Sequence, residues 1–393
     1  MVKRLIVVVF AVVLVAGSTV GQTEAAGYAP PSGPLFNNPY ASSSQQNVIL
    51  RHIRKAIYHT PKGAVIRIAT YSFDRPDIGD ALVRAFKRGV HVRMVLNDNS
   101  ISKQTKRLRR LVGTNISKPS FVKICVRSCR GGWGNQHAKF YLFSKTGAAK
   151  NVLMVGSANL TGFGAHNQWN DLVTFDNRGD LIPAYIKIFG QMAQDHDLAH
   201  PWYVSSVHGI VSQFSPHPHT TSTNDPLMRR LRAVSCTAPS GTGISGHTLI
   251  RVAMYGWVGK RGIYLAGEMA SLRSQGCRIS VILSHPGHKV VGILKRGHVY
   301  ARSADFGLRS DCSYRHYTHE KWMAVSGTYN GHSFQGVWTG SQNWSPMATH
   351  NDEVTVQIPK YFHAYSAHFD FVWTHHTHLF TDKTTYCSSG EEG

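Results

Sequence analysis

One triplet and one quartet, each written twice, constrain this chain more than any other feature. His-x-Lys occurs in HAKFYLF from His137 and again in HEKWMAV from His319. Each is followed by Gly-Ser-x-Asn, in VGSANLT from Val155 and TGSQNWS from Thr339. No other H-x-K or G-S-x-N occurs in the 393 residues. The spacing is steady: 184 positions separate Arg67 from Arg251, 182 separate His137 from His319, and 184 separate Asn159 from Asn343. An offset held across nearly a hundred residues is the mark of a duplicated unit.

The flanking patterns repeat in the same order. AVIRIATYSF (64–73) is a β-branched run of strand length, and TLIRVAMYGW (248–257) matches it. IGDALVRAFKRG and GIYLAGEMASLRSQG carry apolar residues at helical spacing and end on Gly89 and Gly276. VHVRMVLND and CRISVILSH read as the next strands. Strands alternating with helices predict an α/β fold, as two homologous halves packed about a pseudo-twofold axis. The stretch 212–226, SQFSPHPHTTSTNDP, has three prolines and little to bury, and predicts a linker between halves at 27–211 and 227–393. The motif is then written twice because one site at the axis needs both copies.

The ends and the charge narrow the setting. Lys3 and Arg4 precede the apolar run LIVVVFAVVLVAG, followed by small residues near Ala25 and Ala26. Residues 1–26 therefore read as a signal peptide, with export of the mature chain. Six cysteines (Cys125, Cys129, Cys236, Cys277, Cys312, Cys387) in an exported chain favour disulfides, with a short local bridge expected in CVRSC. A zinc knuckle needs a second close pair, which is absent. The histidines of SPHPH (His217, His219) and THHTH (His375, His376, His378) lack nearby carboxylates or cysteines and read as polar surface. Forty-three Lys and Arg against 21 Asp and Glu give a net charge of +22, which draws in polyanions or anionic membranes without choosing between them.

The motif residues suit a phosphodiester. Histidine and lysine at i and i+2 project from one face of a strand. Two lysines can neutralise nonbridging oxygens, and asparagine amides and serine hydroxyls can donate to them. One neutral histidine can attack phosphorus while the other, protonated, supplies the leaving alcohol with its proton.

On these motifs the chain resembles the phospholipase D superfamily, whose signature is H-x-K-x4-D followed by G-S-x-N, present twice in two-domain members. The resemblance implies two α/β sandwich halves sharing one active site, a covalent phosphohistidine and no metal or other cofactor. Position by position it implies His137, Lys139, Ser157 and Asn159 with His319, Lys321, Ser341 and Asn343. His137 takes the part of nucleophile and His319 that of acid and base. The lysines, Ser157, Ser341 and the two asparagines are expected to bind the phosphate. The family also places an acid after G-S-x-N to orient each histidine, a role that fits Asp171 in NDLVTF and Glu353 in NDEVTV. Asp352 competes with Glu353, which is preferred because the apolar strand resumes directly after it.

The chain departs from the signature five residues after each lysine, where Ser144 and Ser326 stand in place of aspartate. KTGAAKN and GTYNGHSFQ, inserted before the Gly-Ser strand, read as hairpin tips reaching away from the site. The resemblance to exported two-motif enzymes implies a secreted phospholipase D acting on phospholipid headgroups as a monomer, without an obligate protein partner. RGGWGNQ (130–136), directly before His137, offers Trp133 either to a membrane interface or to the core. Two alternatives remain: a nuclease, for which KQTKRLRR (103–110) supplies a phosphate-tracking face, and an inactive phosphate-binding descendant.

Overall fold

A computed structural model describes residues 27–99, 101–307 and 315–380. The segment read as a signal peptide, and Cys312 and Cys387, lie outside the described residues. The first half runs β1 (Gly33–Phe36), α1 (Ser43–Gln46), α2 (Val48–Tyr58), β2 (Val65–Thr70), α3 (Pro76–Lys87), β3 (His91–Asn97) and α4 (Lys103–Val112). It continues through β4 (Phe121–Cys125), β5 (Phe140–Thr146), β6 (Ala149–Gly156), α5 (Gly162–Asn167), β7 (Gln168–Trp169), β8 (Asp171–Phe175) and α6 (Ile182–Gln194). A hairpin of β9 (Tyr203–Val207) and β10 (Ile210–Phe214) leads to α7 (Pro226–Arg232) and β11 (Val234–Ser235). The second half follows as β12 (Leu249–Trp257), α8 (Gly259–Ser274), β13 (Arg278–Pro286), α9 (His288–Arg296), β14 (Tyr300–Ser303) and β15 (Tyr317–Thr318). It closes with β16 (Lys321–Tyr329), β17 (His332–Gly340), β18 (Val354–Ile358) and α10 (Phe362–His375).

Each half builds a mixed sheet, ordered β1-β8-β6-β5-β2-β3-β4 in the first and β14-β13-β12-β16-β17-β18-β10-β9 in the second, where β11 also pairs with β16. The shared segment β5-β2-β3 and β16-β12-β13 is the duplicated unit, with β2–β3 and β12–β13 parallel. Both α3 and α8 stop two residues before a glycine, Gly89 at φ +87° and Gly276 at +101°, the left-handed conformation that ends a helix without a Cβ clash. The inserted stretches form the β5–β6 and β16–β17 hairpins. One boundary differs from expectation: β9 and β10 extend the second sheet through β18, so Ser212 to Phe214 are strand rather than linker.

Central strands are buried on both faces and read as nearly continuous apolar runs. In β5, Phe140 and Leu142 face the core shared by the halves, while Tyr141 and Phe143 face the outer layer of α2 and α3. The equivalent outer layer in the second half packs α8 and α9 on β12 and β13. The shared core joins Trp169, Tyr185 and Phe189 of the first half to Trp322, Tyr365 and Phe369 of the second. Cys125–Cys129 form the expected local disulfide, and Cys236–Cys277 form a second. Among the described residues no helix is long and apolar enough to cross a membrane.

Because that core belongs to both halves, damage on one side destabilises the whole. Trp322 is 1% exposed and packs edge-on against Tyr365 at 5.1 Å. Trp322→Ala is expected to cost about 3–5 kcal/mol and to lower the urea midpoint in a single transition seen by both halves.

Candidate active site

The two motifs meet through pairings that cross the halves. Gln136 pairs with Asp352 in a parallel bridge, and the His137 N–H donates to the Asp352 carbonyl at 3.0 Å. On the other side β15 pairs with β7, and the His319 N–H donates to the Trp169 carbonyl at 2.9 Å. Each histidine is thereby laid against the segment that follows the other half's Gly-Ser-x-Asn. His137, His319, Asn159 and Asn343 all line one cleft of about 790 Å³.

Side-chain partners also cross over, but unequally. His137 Nδ1 lies 2.8 Å from Glu353 Oε1 and 3.0 Å from Oε2. Glu353 is further held by the Ser341 hydroxyl and by the Asn351 amide at 3.0 Å. His319 Nδ1 instead meets the Asn170 Oδ1 atom at 3.0 Å. The Asn170 orientation is fixed, since its Nδ2 donates to the Gly164 and Gln168 carbonyls. In both cases Nδ1–H is the donor, which leaves Nε2 for chemistry.

Three sequence expectations are corrected by this geometry. Asp171 does not orient His319: its carboxylate accepts from Thr339 and, at 2.7 Å, from the Tyr365 hydroxyl. Asn170, not Asp171, is the counterpart of Glu353: the Asp171 N–H donates to the Ser157 hydroxyl as the Val354 N–H does to that of Ser341, which puts Asp171 one residue past the position that reaches the ring. Ser157 and Ser341 do not face a phosphate either. Both are fully buried, Ser157 donating to Asn170 at 3.2 Å and Ser341 to Glu353, so they hold the groups that hold the histidines. Glu353, by contrast, lies against the His137 ring. Its competitor Asp352 accepts from Ser128 at 2.9 Å and from the Cys129 N–H, with Arg130 at 3.9 Å.

Asn159 Oδ1 faces the Ser72 N–H at 3.4 Å and Asn343 Oδ1 the Gly256 N–H at 3.3 Å, which turns each Nδ2 donor toward the cleft. Lys139 and Lys321 are buried beneath, each ammonium on the carbonyl of its own motif histidine. Ser144 and Ser326, where the signature has aspartate, are remote: they accept from Val65 N–H and Gly243 N–H at the far end of their strands, roughly 20 Å from the histidines. His217 bonds Thr220, His376 stacks on Tyr40 and His378 bonds Asp305, so the histidine tracts are used structurally. Sequence reading missed Tyr71 and Tyr255, which line the cleft with rings 5.4 and 5.2 Å from His137 and His319. Their 184-residue offset matches the repeat and was the available signal.

Burial and mutual repulsion set the charge states. Burial drives His137 down to about 4, against the pull of Glu353, with Lys139 and Lys321 lowering it further. His319 is also held well below its ordinary value, by burial, by both lysines and by His137. Lys139 falls to about 7 through burial, partly offset by Glu353. Burial raises Glu353, but His137, Lys139 and Ser341 outweigh it and keep the carboxylate below its usual range. Four groups sensing one another in this way form one electrostatic unit primed for an anion.

Comparison with known proteins agrees. The family model described as "Cardiolipin synthase, PLD-like domain" matches residues 53–193, and the second motif pair lies in the second half. Residues 53–193 carry a phospholipase D-like domain. Among solved structures, phosphatidylserine synthase from Haemophilus influenzae superposes with a TM-score of 0.59 at 12% identity, covering 88% of this chain and 87% of that one. Polyphosphate kinase from Porphyromonas gingivalis gives 0.54 at 13% identity, and this chain, 88% covered, spans about half (51%) of its length. Nuc from Salmonella typhimurium is 21% identical over 41% of this chain and 94% of its own, with a TM-score of 0.30. No curated protein matches the sequence. Phospholipase D superfamily members are phosphodiesterases and phosphotransferases, and this chain carries that fold.

The unequal partners make a sharp prediction. Glu353→Gln is expected to lower kcat by roughly 10² or more, because the charge facing the His137 ring is lost. Asp171→Asn should leave kcat within about threefold and act mainly on thermal stability. Equal losses of kcat in the two variants would contradict the assignment.

Proposed function

We propose that the protein is a secreted phospholipase D-type phosphodiesterase acting on phospholipid headgroups, hydrolysing or transferring them through a phosphohistidine on His137. The observation carrying this reading is the single cleft into which two histidines, each oriented by the opposite half, project above two buried lysines. His137 Nε2 attacks phosphorus, and the bond to the leaving alcohol breaks as His319 gives that oxygen its proton. His319, now neutral, takes a proton from water or an alcohol, whose oxygen attacks phosphorus and returns the P–N electron pair to His137.

Unequal orientation supports this division of labour. Glu353 stabilises the positive charge His137 develops on attack, while the neutral Asn170 leaves His319 a readier proton donor. Lys139 and Lys321 supply the positive charge a metal would otherwise contribute. With both histidines neutral in the free site, a bound phosphodiester anion raises His319 and loads its proton only when substrate is present.

Support for a lipid substrate comes from the cleft mouth, where Trp133, Phe163 and Met347 are 51%, 48% and 40% exposed. Aromatic residues at such a rim favour a membrane interface. The synthase likeness and the matched family's description agree in class with this reading. The nuclease reading is favoured by α4, whose Lys103, Lys106, Arg109 and Arg110 are exposed beside a loop tied to the cleft by Asn99–Asn135 at 2.7 Å.

Headgroup release from phosphatidylcholine and phosphatidylglycerol vesicles, with EDTA present, is expected from the wild type and lost in His137→Ala and His319→Ala. Cleavage of single- or double-stranded DNA with no headgroup release would move the function to the nuclease. A pH–rate profile adds a second check. The Lys139 ammonium is present below about pH 7 and lost above it, so kcat/KM should fall on the alkaline side of about 7. A kcat/KM flat to pH 9 would contradict a cationic Lys139 role.

A further inference from the structure

Arg67, one of the residues that marks the duplication, is not explained by the catalytic site. It sits on β2 in register with Arg93 on the parallel strand β3, so both side chains leave the same face of the sheet. Like charges directly opposite one another on adjacent strands repel. Both arginines are half-buried and line a pocket of about 280 Å³. α6 closes the pocket with Ile186, Phe189, Gly190 and Gln194, and Ser117 stands at its rim. Neither arginine has a carboxylate partner among the described residues; Arg93 Nε donates to the Pro119 carbonyl, and Arg67 makes no side-chain hydrogen bond there.

The duplicated position shows what this environment lacks. Arg251 on β12 pairs with Asp370 at 2.8 Å, donates to the Ser366 carbonyl at 2.7 Å and lies over the Phe369 ring. Its neighbour in register on β13 is Ser280, not a second arginine. The second half therefore neutralises one guanidinium, while the first half concentrates two without an acid. Burial and Arg93 together hold Arg67 down to about 10, the direction expected of two cations short of an anion.

We propose that the Arg67–Arg93 pocket is a second anion site, taking a phosphate-class oxyanion bridged between the two guanidinium groups. Two guanidinium forks present paired N–H donors in the geometry tetrahedral oxyanions accept. The Ser117 hydroxyl and the Gln194 amide can add donors at the rim. The site opens near the start of β2, whereas Tyr71 of the catalytic cleft follows that strand's end, so the two sites are separate. The inference does not depend on which phosphodiester the cleft cleaves.

Calorimetric titration with inorganic phosphate at fixed ionic strength tests it. Wild type is expected to bind phosphate at two sites, the cleft and the pocket. A Lys139→Met/Lys321→Met variant should keep only the pocket site, which Arg67→Met or Arg93→Met should weaken at least tenfold. Arg67→Lys should restore part of that loss, and Arg67→Met should retain the wild-type kcat on a soluble diester. If one of the two arginine variants fails to fold, the other reads the same site. Unchanged affinity of the pocket site in the folded arginine variant would overturn the proposal, as would a wild type whose only phosphate site vanishes with the two lysines.

Discussion

The site depends on backbone pairing across the duplication. Gln136 on Asp352 and β15 on β7 carry each histidine into the other half, where Glu353 and Asn170 await it. Either half alone would hold a histidine without its orienting group and an orienting group without its histidine. The shared apolar core around Tyr185, Trp322 and Tyr365 keeps that exchange in place. Even the misread Asp171 serves it, by anchoring first-half β8 to Thr339 and Tyr365 of the second.

Cations are then concentrated where water is excluded. Burying an ammonium without a counter-charge is costly, and the site offers one carboxylate, Glu353, in contact with a histidine. Lys139 and Lys321 respond by losing affinity for their protons, and both histidines are driven neutral. On the proposed function, a bound phosphodiester relieves this strain by bringing the missing negative charge. Affinity for the anion, a neutral nucleophile and a substrate-dependent proton donor thus follow from one distribution of charge.

Much of this was legible in the sequence, because duplication doubles the signal. The fixed offset exposed the two sheets, the hairpin tips and the His, Lys and Asn sets, and the cysteine spacing exposed Cys125–Cys129. What escaped was decided by strand register and side-chain direction. Asn170, not Asp171, occupies the repeat position of Glu353, a one-residue difference in register that the similar stretches NDLVTF and NDEVTV hide. Ser157 and Ser341 lie in the motif but turn inward, a choice made by the backbone after the Gly-Ser turn. Ser144 and Ser326, where the chain departs from the family signature, satisfy backbone N–H groups far from the cleft. Asn170 gave no warning, since an asparagine beside an aspartate draws less notice than the acid.

The central claim, that His137 alone becomes covalently phosphorylated while His319 moves protons, has a direct test that does not depend on the natural substrate. A soluble aryl phosphodiester would be mixed with enzyme, quenched within milliseconds to seconds, and the histidine peptides read by mass spectrometry under non-acidic conditions. The account predicts a phosphoryl adduct on His137 in the wild type, more of it in His319→Asn where water is poorly activated, and none in His137→Ala. An adduct on His319 with His137 unmodified would contradict it.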